Sequence, residues 1–197
     1  MTTIAEHNRR LKAAGLPTVE TLTRRILAVW DRATTSDVES GATWYTEAQD
    51  LAFHLGRNSG HGREHAAAVI SHLSPRTTWT RNVAGAIYLL TYGEQADGII
   101  GANFDRARAS LDAADPESTF GGPKTLRFYR NILGDTEAVT VDVWAARVAD
   151  VDEAPLRRVG VYDAVEAAYQ RAARRVGVEP STMQATTWIV ARNGRAA

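Results

Sequence analysis

Two residues in the middle of this chain have the types needed for nucleophilic and acid–base chemistry. Lys124 is one of only two lysines among 23 basic residues, in a chain that otherwise uses arginine. An amine can lose its proton and form a Schiff base, whereas a guanidinium cannot. Asp142 follows 18 residues later. A carboxylate beside an amine can accept its proton, so the pair predicts a nucleophile with its base.

The segment around Lys124 has the pattern of a glycine turn that opens a helix. Gly121 and Gly122 precede Pro123, which is favoured at the first position of a helix. Backbone N–H groups at such a turn form an anion site suited to phosphate. A second helix is predicted to begin at Asp142. We expect Lys124 and Asp142, each at the start of its helix, to share a cleft.

The elements that must position these residues are helices. Apolar residues recur at helical spacing throughout the chain, and alternating strand patterns are nearly absent. The sequence predicts an all-α fold of about ten short helices, with loops at 57–62 and 92–103. The predicted helices span residues 3–14, 18–33, 36–56, 64–73, 78–91, 104–113, 123–133, 142–149, 162–176 and 181–192.

Composition restricts the function classes further. The chain has 197 residues, 44% hydrophobic content and 23% charged residues, which favours a folded protein of one domain or two small lobes. The absence of cysteine excludes disulfides, thiolate zinc sites and cysteine-ligated iron–sulfur clusters. No apolar run is long enough to span a membrane, and the polar N-terminus is unlike a signal peptide, which predicts a soluble cytoplasmic protein. The zero net charge is unusual for a nucleic-acid-binding protein but compatible with a local basic face.

The Lys124 and Asp142 segments resemble those of a known family, the helix-hairpin-helix (HhH-GPD) DNA glycosylases of the endonuclease III type. The run Gly122-Pro-Lys124-Thr125 matches the end of the family's hairpin. The run Val141-Asp142-Val-Trp-Ala-Ala-Arg147-Val148 matches its second motif, at the family's Lys-to-Asp interval. Weaker matches occur in family order at 70–82 and 188–195.

This resemblance implies a two-lobed helical fold with a cleft between the lobes. The central lobe would span residues 61–150 with a hairpin near 118–124, and the second lobe would combine 1–60 with 151–197. Lys124 would attack the anomeric carbon of a flipped nucleotide and expel the base, and the resulting Schiff base would permit β-elimination. Asp142 would activate the nucleophile and stabilise positive charge on the sugar.

The resemblance also implies partners and binding residues. The partner is DNA, a monovalent cation would be held at the hairpin, and no iron–sulfur cluster is expected because its cysteines are absent. The sequence does not specify the oligomeric state, for which a monomer is the default expectation. Trp79 and Trp144 are candidate base-pocket residues. The implied DNA-binding residues are Gly121, Gly122, Thr125, Arg76 and Arg147. Arg76 aligns with the family's glutamine, which fills the gap left by a flipped base.

The chain departs from the family pattern at several positions. Phe120 replaces the first glycine of the hairpin, Ser118-Thr119 replaces its Leu-Pro, and Trp144 replaces the family's histidine. These departures are compatible with a specialised substrate. One alternative is therefore a relative of the phage-type enzymes of thymine hypermodification, which share this fold. Another is a non-catalytic helix-hairpin-helix DNA-binding protein.

Other residues have competing interpretations. Lys124 and Asp142 also suit a solvated lysine and an N-cap aspartate. His61-x-x-Glu64-His65 matches a metallopeptidase pattern, which predicts zinc and a third ligand. His72 is predicted to be a hydrogen-bonded core histidine. A basic C-terminal region is predicted to contact phosphates or to form a solvated face, and it comprises Arg171, Arg174, Arg175, Arg192 and Arg195.

Overall fold

The computed structural model describes residues 2–194, and these residues contain helices and no β-strand. The predicted all-α class is therefore confirmed. The α-helices are α1 (Ile4–Ala13), α2 (Val19–Trp30), α3 (Thr35–Ser59), α4 (Arg63–Leu73), α5 (Trp79–Tyr92), α6 (Gly101–Asp112), α7 (Pro123–Ile132), α8 (Val143–Val148), α9 (Val161–Val176) and α10 (Pro180–Arg192). Two 3-10 helices span Pro116–Thr119 and Ala154–Arg157.

Local hydrogen bonds explain where several helices begin and end. Thr18 and Thr78 cap α2 and α5, each accepting a backbone N–H three residues later through its hydroxyl. Gly93 and Gly177 end α5 and α9 in the left-handed conformation, with φ of 73° and 82°. Glycine adopts this conformation without a steric penalty, so both ends are encoded locally.

The structure departs from the sequence prediction at several helix boundaries and at the 3-10 helices. α3 continues to Ser59, although Gly56 was predicted to end it. A Cβ on Gly56 would lie 2.3 Å from the carbonyl oxygen of Gly62, so this glycine permits close packing of the backbone and does not end the helix. α6 begins at Gly101, three residues before its predicted start. The 3-10 helix Pro116–Thr119 was not predicted, and it is capped by Asp115, which accepts the N–H of Glu117.

The chain folds into two compact units. The terminal unit comprises residues 1–44 and 136–197, of which 2–44 and 136–194 are described. In its core, α2 packs on α9, and α10 packs on α2, α8 and α9. Leu22, Ile26, Tyr169 and Met183 are fully buried there. The apolar stripes of amphipathic helices supply this core, as their spacing in the sequence predicts.

The central unit comprises residues 45–135. Its centre is α4, which packs against α5, α6 and α7 and is buried continuously from Ala66 to Leu73. The predicted central lobe, residues 61–150, begins and ends later than this unit. Lys124 consequently belongs to the central unit and Asp142 to the terminal unit. Within residues 2–194, no helix combines the length and the hydropathy that crossing a membrane requires.

Candidate functional site

Asp142 is a half-buried carboxylate whose two oxygens are held in fixed positions. It is the N-cap of α8, and its Oδ1 accepts the backbone N–H groups of Trp144 at 3.0 Å and Ala145 at 2.8 Å. Its Oδ2 accepts the indole N–H of Trp188 at 3.1 Å. A carboxylate offers about four acceptor positions, so three are occupied and one on Oδ2 remains open.

Trp188 on α10 connects Asp142 to other aromatic and charged groups of the terminal unit. Its ring lies 6.2 Å from that of Trp44, and the guanidinium of Arg192 lies over it at 4.6 Å. In the sequence, Trp188 stands out only as the first residue of the weaker family match at 188–195. Its hydrogen bond to Asp142 joins residues 46 positions apart, and no local sequence signal indicates such a contact.

Trp144 follows Asp142 on α8 and is half-buried. The guanidinium of Arg147 lies 4.8 Å from the centroid of its ring. Arg147 is exposed, as its predicted contact with DNA requires. The Trp144 ring also packs against the hydrophobic core of the terminal unit, so only the part of the ring that Arg147 and this core leave uncovered could stack on a base.

The glycine turn in the central unit presents unbonded backbone donors. Within residues 45–135, the N–H groups of Gly121, Gly122, Lys124 and Thr125 donate no hydrogen bond. Gly122 is the N-cap of α7 and makes no side-chain cap, and Pro123 contributes no donor. Gly122 has a φ of −144°, which any residue adopts, and a Cβ on Gly121 or Gly122 would meet nothing within 4 Å. The absence of these side chains therefore leaves the backbone open to a ligand.

Lys124 lies in the first turn of α7 and is half-buried. Its amine makes no hydrogen bond or ion pair within the central unit. The neighbouring Thr125 hydroxyl donates to the carbonyl of Gly122 at 3.4 Å. The amine is thus free to react or to contact an anion.

Phe120, which departs from the family pattern, anchors the turn to the core of the central unit. Its ring stacks on His72 at 4.2 Å with an interplanar angle of 9°, and lies 5.0 Å from the ring of Tyr129. His72 Nε2 is 2.8 Å from Thr119 Oγ1, whose own hydrogen goes to the carbonyl of Pro116, so the imidazole donates. Burial, with a smaller contribution from Arg106, lowers the pKa of His72 to about 4. The predicted core histidine is confirmed.

Arg76 lies in the connection between α4 and α5 with its side chain exposed. Its φ is 59°, a left-handed conformation that costs a non-glycine residue about 1–2 kcal/mol. Buried Asn103 holds this connection by donating to the carbonyl of Pro75 at 2.8 Å. Asn82 donates to the carbonyl of Ile70 at 3.0 Å. The connection therefore presents Arg76 from a rigid, strained backbone, a feature that is concentrated at functional sites.

Trp79, the other predicted base-pocket residue, begins α5 and remains 39% exposed. Its ring contacts that of Phe128 edge-on, with centroids 6.4 Å apart. It is therefore a surface aromatic of the central unit and not a core residue.

The metallopeptidase pattern does not form a site. His61 precedes α4, which begins at Arg63, and Gly62 between them has a φ of 87°. The ring of His65 donates through Nε2 to the carbonyl of Ala113 at 3.1 Å. Among residues 2–194 there is no group of three or more His, Asp or Glu side chains arranged to hold a metal ion. The two imidazoles do not share a helix face, so the described residues do not support the metallopeptidase alternative.

The basic C-terminal region divides into paired and unpaired arginines. Arg171 and Arg175 both bind the carboxylate of Glu20, with N–O distances of 3.0 Å and 2.6 Å. These contacts make the two arginines part of a surface network that joins α9 to α2. Arg174 is exposed. Arg195 lies outside the described residues.

Fold and site together define an all-α protein with a fixed, half-buried carboxylate at a helix N-terminus. A family model described as a family of unknown function (DUF7178) matches residues 8–195, and the chain belongs to this family. No curated protein and no solved structure matches the chain.

Proposed function

We propose that this protein is a DNA N-glycosylase of the helix-hairpin-helix type that uses Lys124 and Asp142 to excise a modified or damaged base. The observation that carries the proposal is the carboxylate of Asp142. Three N–H donors orient it, and one acceptor position on Oδ2 remains open. A carboxylate oriented in this way is suited to stabilise a developing positive charge, and its open acceptor position on Oδ2 is where it would receive a proton.

The proposed chemistry begins at the amine of Lys124. The amine transfers a proton to Asp142 and bonds to C1′ of the nucleotide, while the glycosidic C1′–N bond breaks and its electron pair leaves with the base. The departing base takes up the proton. Opening of the C1′–O4′ bond, with protonation of O4′, then produces an imine between Lys124 and the sugar. This imine is the species that permits β-elimination of the strand.

Features of the central unit support DNA as the partner. The unbonded N–H groups of the glycine turn are suited to a phosphate, and the free amine of Lys124 lies in the same turn. Exposed Arg76 on its strained connection is suited to occupy the gap left by a flipped base.

Borohydride trapping tests the proposal directly. Labelled duplexes would carry oxidised pyrimidines, 8-oxoguanine, uracil, hydroxymethyluracil or an abasic site, and borohydride reduces an imine to a stable protein–DNA cross-link. We expect a cross-link with at least one of these duplexes, its loss in Lys124→Ala, and a decrease in rate of about 10²–10⁴ in Asp142→Asn.

The controls separate the other functions. Lys12→Ala removes the second lysine of the chain and should leave trapping unchanged. If a base is released without a cross-link, Asp142 activates water and Lys124 is not the nucleophile. Retarded DNA with every base in place would indicate a non-catalytic binding protein. If neither imine nor base release occurs, modified thymines in the DNA of the source genome, detected by mass spectrometry, would indicate hypermodification.

A further inference from the structure

Two arginine–tryptophan contacts involve the tryptophans that donate hydrogen bonds to Asp142. The two arginines have no part in the chemistry proposed above. Arg147 lies over Trp144, and Arg192 lies over Trp188, at 4.8 Å and 4.6 Å from the ring centroids. Both tryptophans donate a hydrogen bond to Asp142, Trp144 through its backbone N–H and Trp188 through its indole. Each guanidinium group therefore contacts a tryptophan that donates a hydrogen bond to one oxygen of the Asp142 carboxylate.

Neither guanidinium group is neutralised by the described part of the terminal unit. Arg147 and Arg192 are exposed, and neither makes a hydrogen bond or ion pair with residues 2–44 or 136–194. Arg171 and Arg175 of the same unit, in contrast, share the carboxylate of Glu20. Arg147 and Arg192 therefore carry positive charge without a bound counter-charge in the described terminal unit, in a protein whose formal charges sum to zero.

Contact with an indole leaves the N–H donors of each guanidinium group available. The guanidinium carbons of Arg147 and Arg192 lie 4.8 Å and 4.6 Å from the centroids of their indole rings, and a cation–π contact uses none of the N–H donors. These donors form the planar fork that binds two oxygens of a phosphate at once. The indole also restricts the rotamers of the arginine, which lowers the entropy cost of binding a ligand.

We propose that Arg147 and Arg192 bind the phosphodiester backbone of a DNA strand, one on each side of the nucleotide whose sugar faces Asp142. This inference rests on the proposed function and identifies the groups that hold the strand. The fork geometry favours phosphate, and the two positive charges offset the repulsion between Asp142 and the backbone. Trp188 acts as a positioning residue, because the same indole supports Arg192 and orients Asp142.

The salt dependence of DNA binding tests this arrangement. The affinity of a fluorescein-labelled duplex would be measured by anisotropy between about 50 and 200 mM salt. Each phosphate contact contributes about 0.9 to the slope of log K against log salt concentration. We expect Arg147→Gln and Arg192→Gln each to reduce the slope by about 0.9 and the double variant by about twice that amount.

Arg24→Gln is the matched control, because it removes the same charge from an exposed arginine of the same unit that stacks on no described ring and lies outside the basic C-terminal region. It should retain the wild-type slope. Equal slopes for Arg147→Gln, Arg192→Gln and Arg24→Gln would overturn the proposal, and so would failure of the wild-type protein to bind the duplex. Polyglutamate binding with the same dependence on Arg147 and Arg192 would overturn it in favour of an acidic protein partner.

A second variant separates this inference from the proposed function. Trp188→Phe keeps a ring under Arg192 but removes the hydrogen bond to Oδ2 of Asp142. We expect it to retain the wild-type salt slope and to lose about tenfold in the rate of base release. A reduced slope in Trp188→Phe would contradict the role of the aromatic ring as the support of Arg192. If the salt slope depends on Arg147 and Arg192 but no base is released, the proposed phosphate contacts are supported and the proposed glycosylase activity is rejected.

Discussion

Asp142 shows how far a single residue can be interpreted without its tertiary contacts. A sequence that places aspartate before a helix predicts an N-cap, and the hydrogen bonds to Trp144 and Ala145 match that prediction. Capping explains one carboxylate oxygen and leaves the other unexplained. The indole of Trp188 holds the second oxygen, and a residue that only capped a helix would not need this bond.

The glycine turn allows a test at the scale of single residues. Gly121→Ala and Gly122→Ala should each change the free energy of unfolding by less than about 1 kcal/mol, because the new Cβ would meet nothing within 4 Å. Each should weaken DNA binding several-fold, since the methyl group would obstruct approach of a phosphate to the backbone N–H groups. Chemical denaturation and anisotropy measure the two effects.

Gly101→Ala is the control for this pair, because Gly101 also has open space around its Cβ but lies at the start of α6. It should leave DNA binding at the wild-type value. An unchanged affinity in both Gly121→Ala and Gly122→Ala would show that the turn does not contact DNA.

At the scale of elements, glycine permits close approach within the terminal unit. α3 and α10 meet where Gly41 faces Thr186. A Cβ on Gly41 would lie 2.1 Å from the Thr186 hydroxyl and 2.8 Å from its backbone nitrogen. Such distances are well inside van der Waals contact, and the backbone atoms cannot move aside as a flexible side chain would. The sequence shows Gly41 only as an unfavourable residue within a helix.

Gly41→Ala should therefore destabilise the protein, although alanine is the better helix former. We expect a loss of about 1–3 kcal/mol in the free energy of unfolding, the usual cost of overpacking a dense interior. Urea unfolding followed by circular dichroism would measure this change. Gly101→Ala again provides the comparison, with stability equal to or above that of the wild type. If Gly41→Ala leaves the free energy of unfolding unchanged or raises it, α3 and α10 can move apart at little energetic cost.

At the scale of the whole molecule, each unit contains a buried histidine. His7 in the terminal unit is 7% exposed, and burial lowers its pKa. His72 in the central unit is 3% exposed, and burial lowers its pKa to about 4. Both histidines remain neutral in the folded protein at a pH where the unfolded chain binds protons. Stability must therefore fall with decreasing pH in both units.

The pH range in which His72 lowers the stability of the folded protein extends from its ordinary pKa of 6.5 down to its lowered pKa of about 4. The stability that depends on its neutral form is present above pH 6.5 and is lost progressively as the pH falls through this window. We expect a loss of about 2 kcal/mol between pH 7 and pH 5 from this group. Urea unfolding at the two pH values would measure it.

His72→Gln keeps an N–H donor for Thr119 and removes the titrating group, so its stability should depend less on pH by about that amount. His54→Gln changes an exposed histidine of the same unit and should retain the wild-type pH dependence. Identical pH profiles for the wild type and His72→Gln would contradict a buried neutral imidazole at this position.

The sequence alone determined the helical class and the start of most helices, because apolar spacing, caps and glycine ends act within a few residues. It also located the glycine turn, the place of Lys124 in the first turn of a helix and the capping role of Asp142. Only the tertiary structure revealed the Trp188 hydrogen bond, the stacked arginines, and the close contacts of Gly41 and Gly56. These features join residues that are distant in sequence or lie on separate helices. They depend on how the helices pack, which local spacing does not specify.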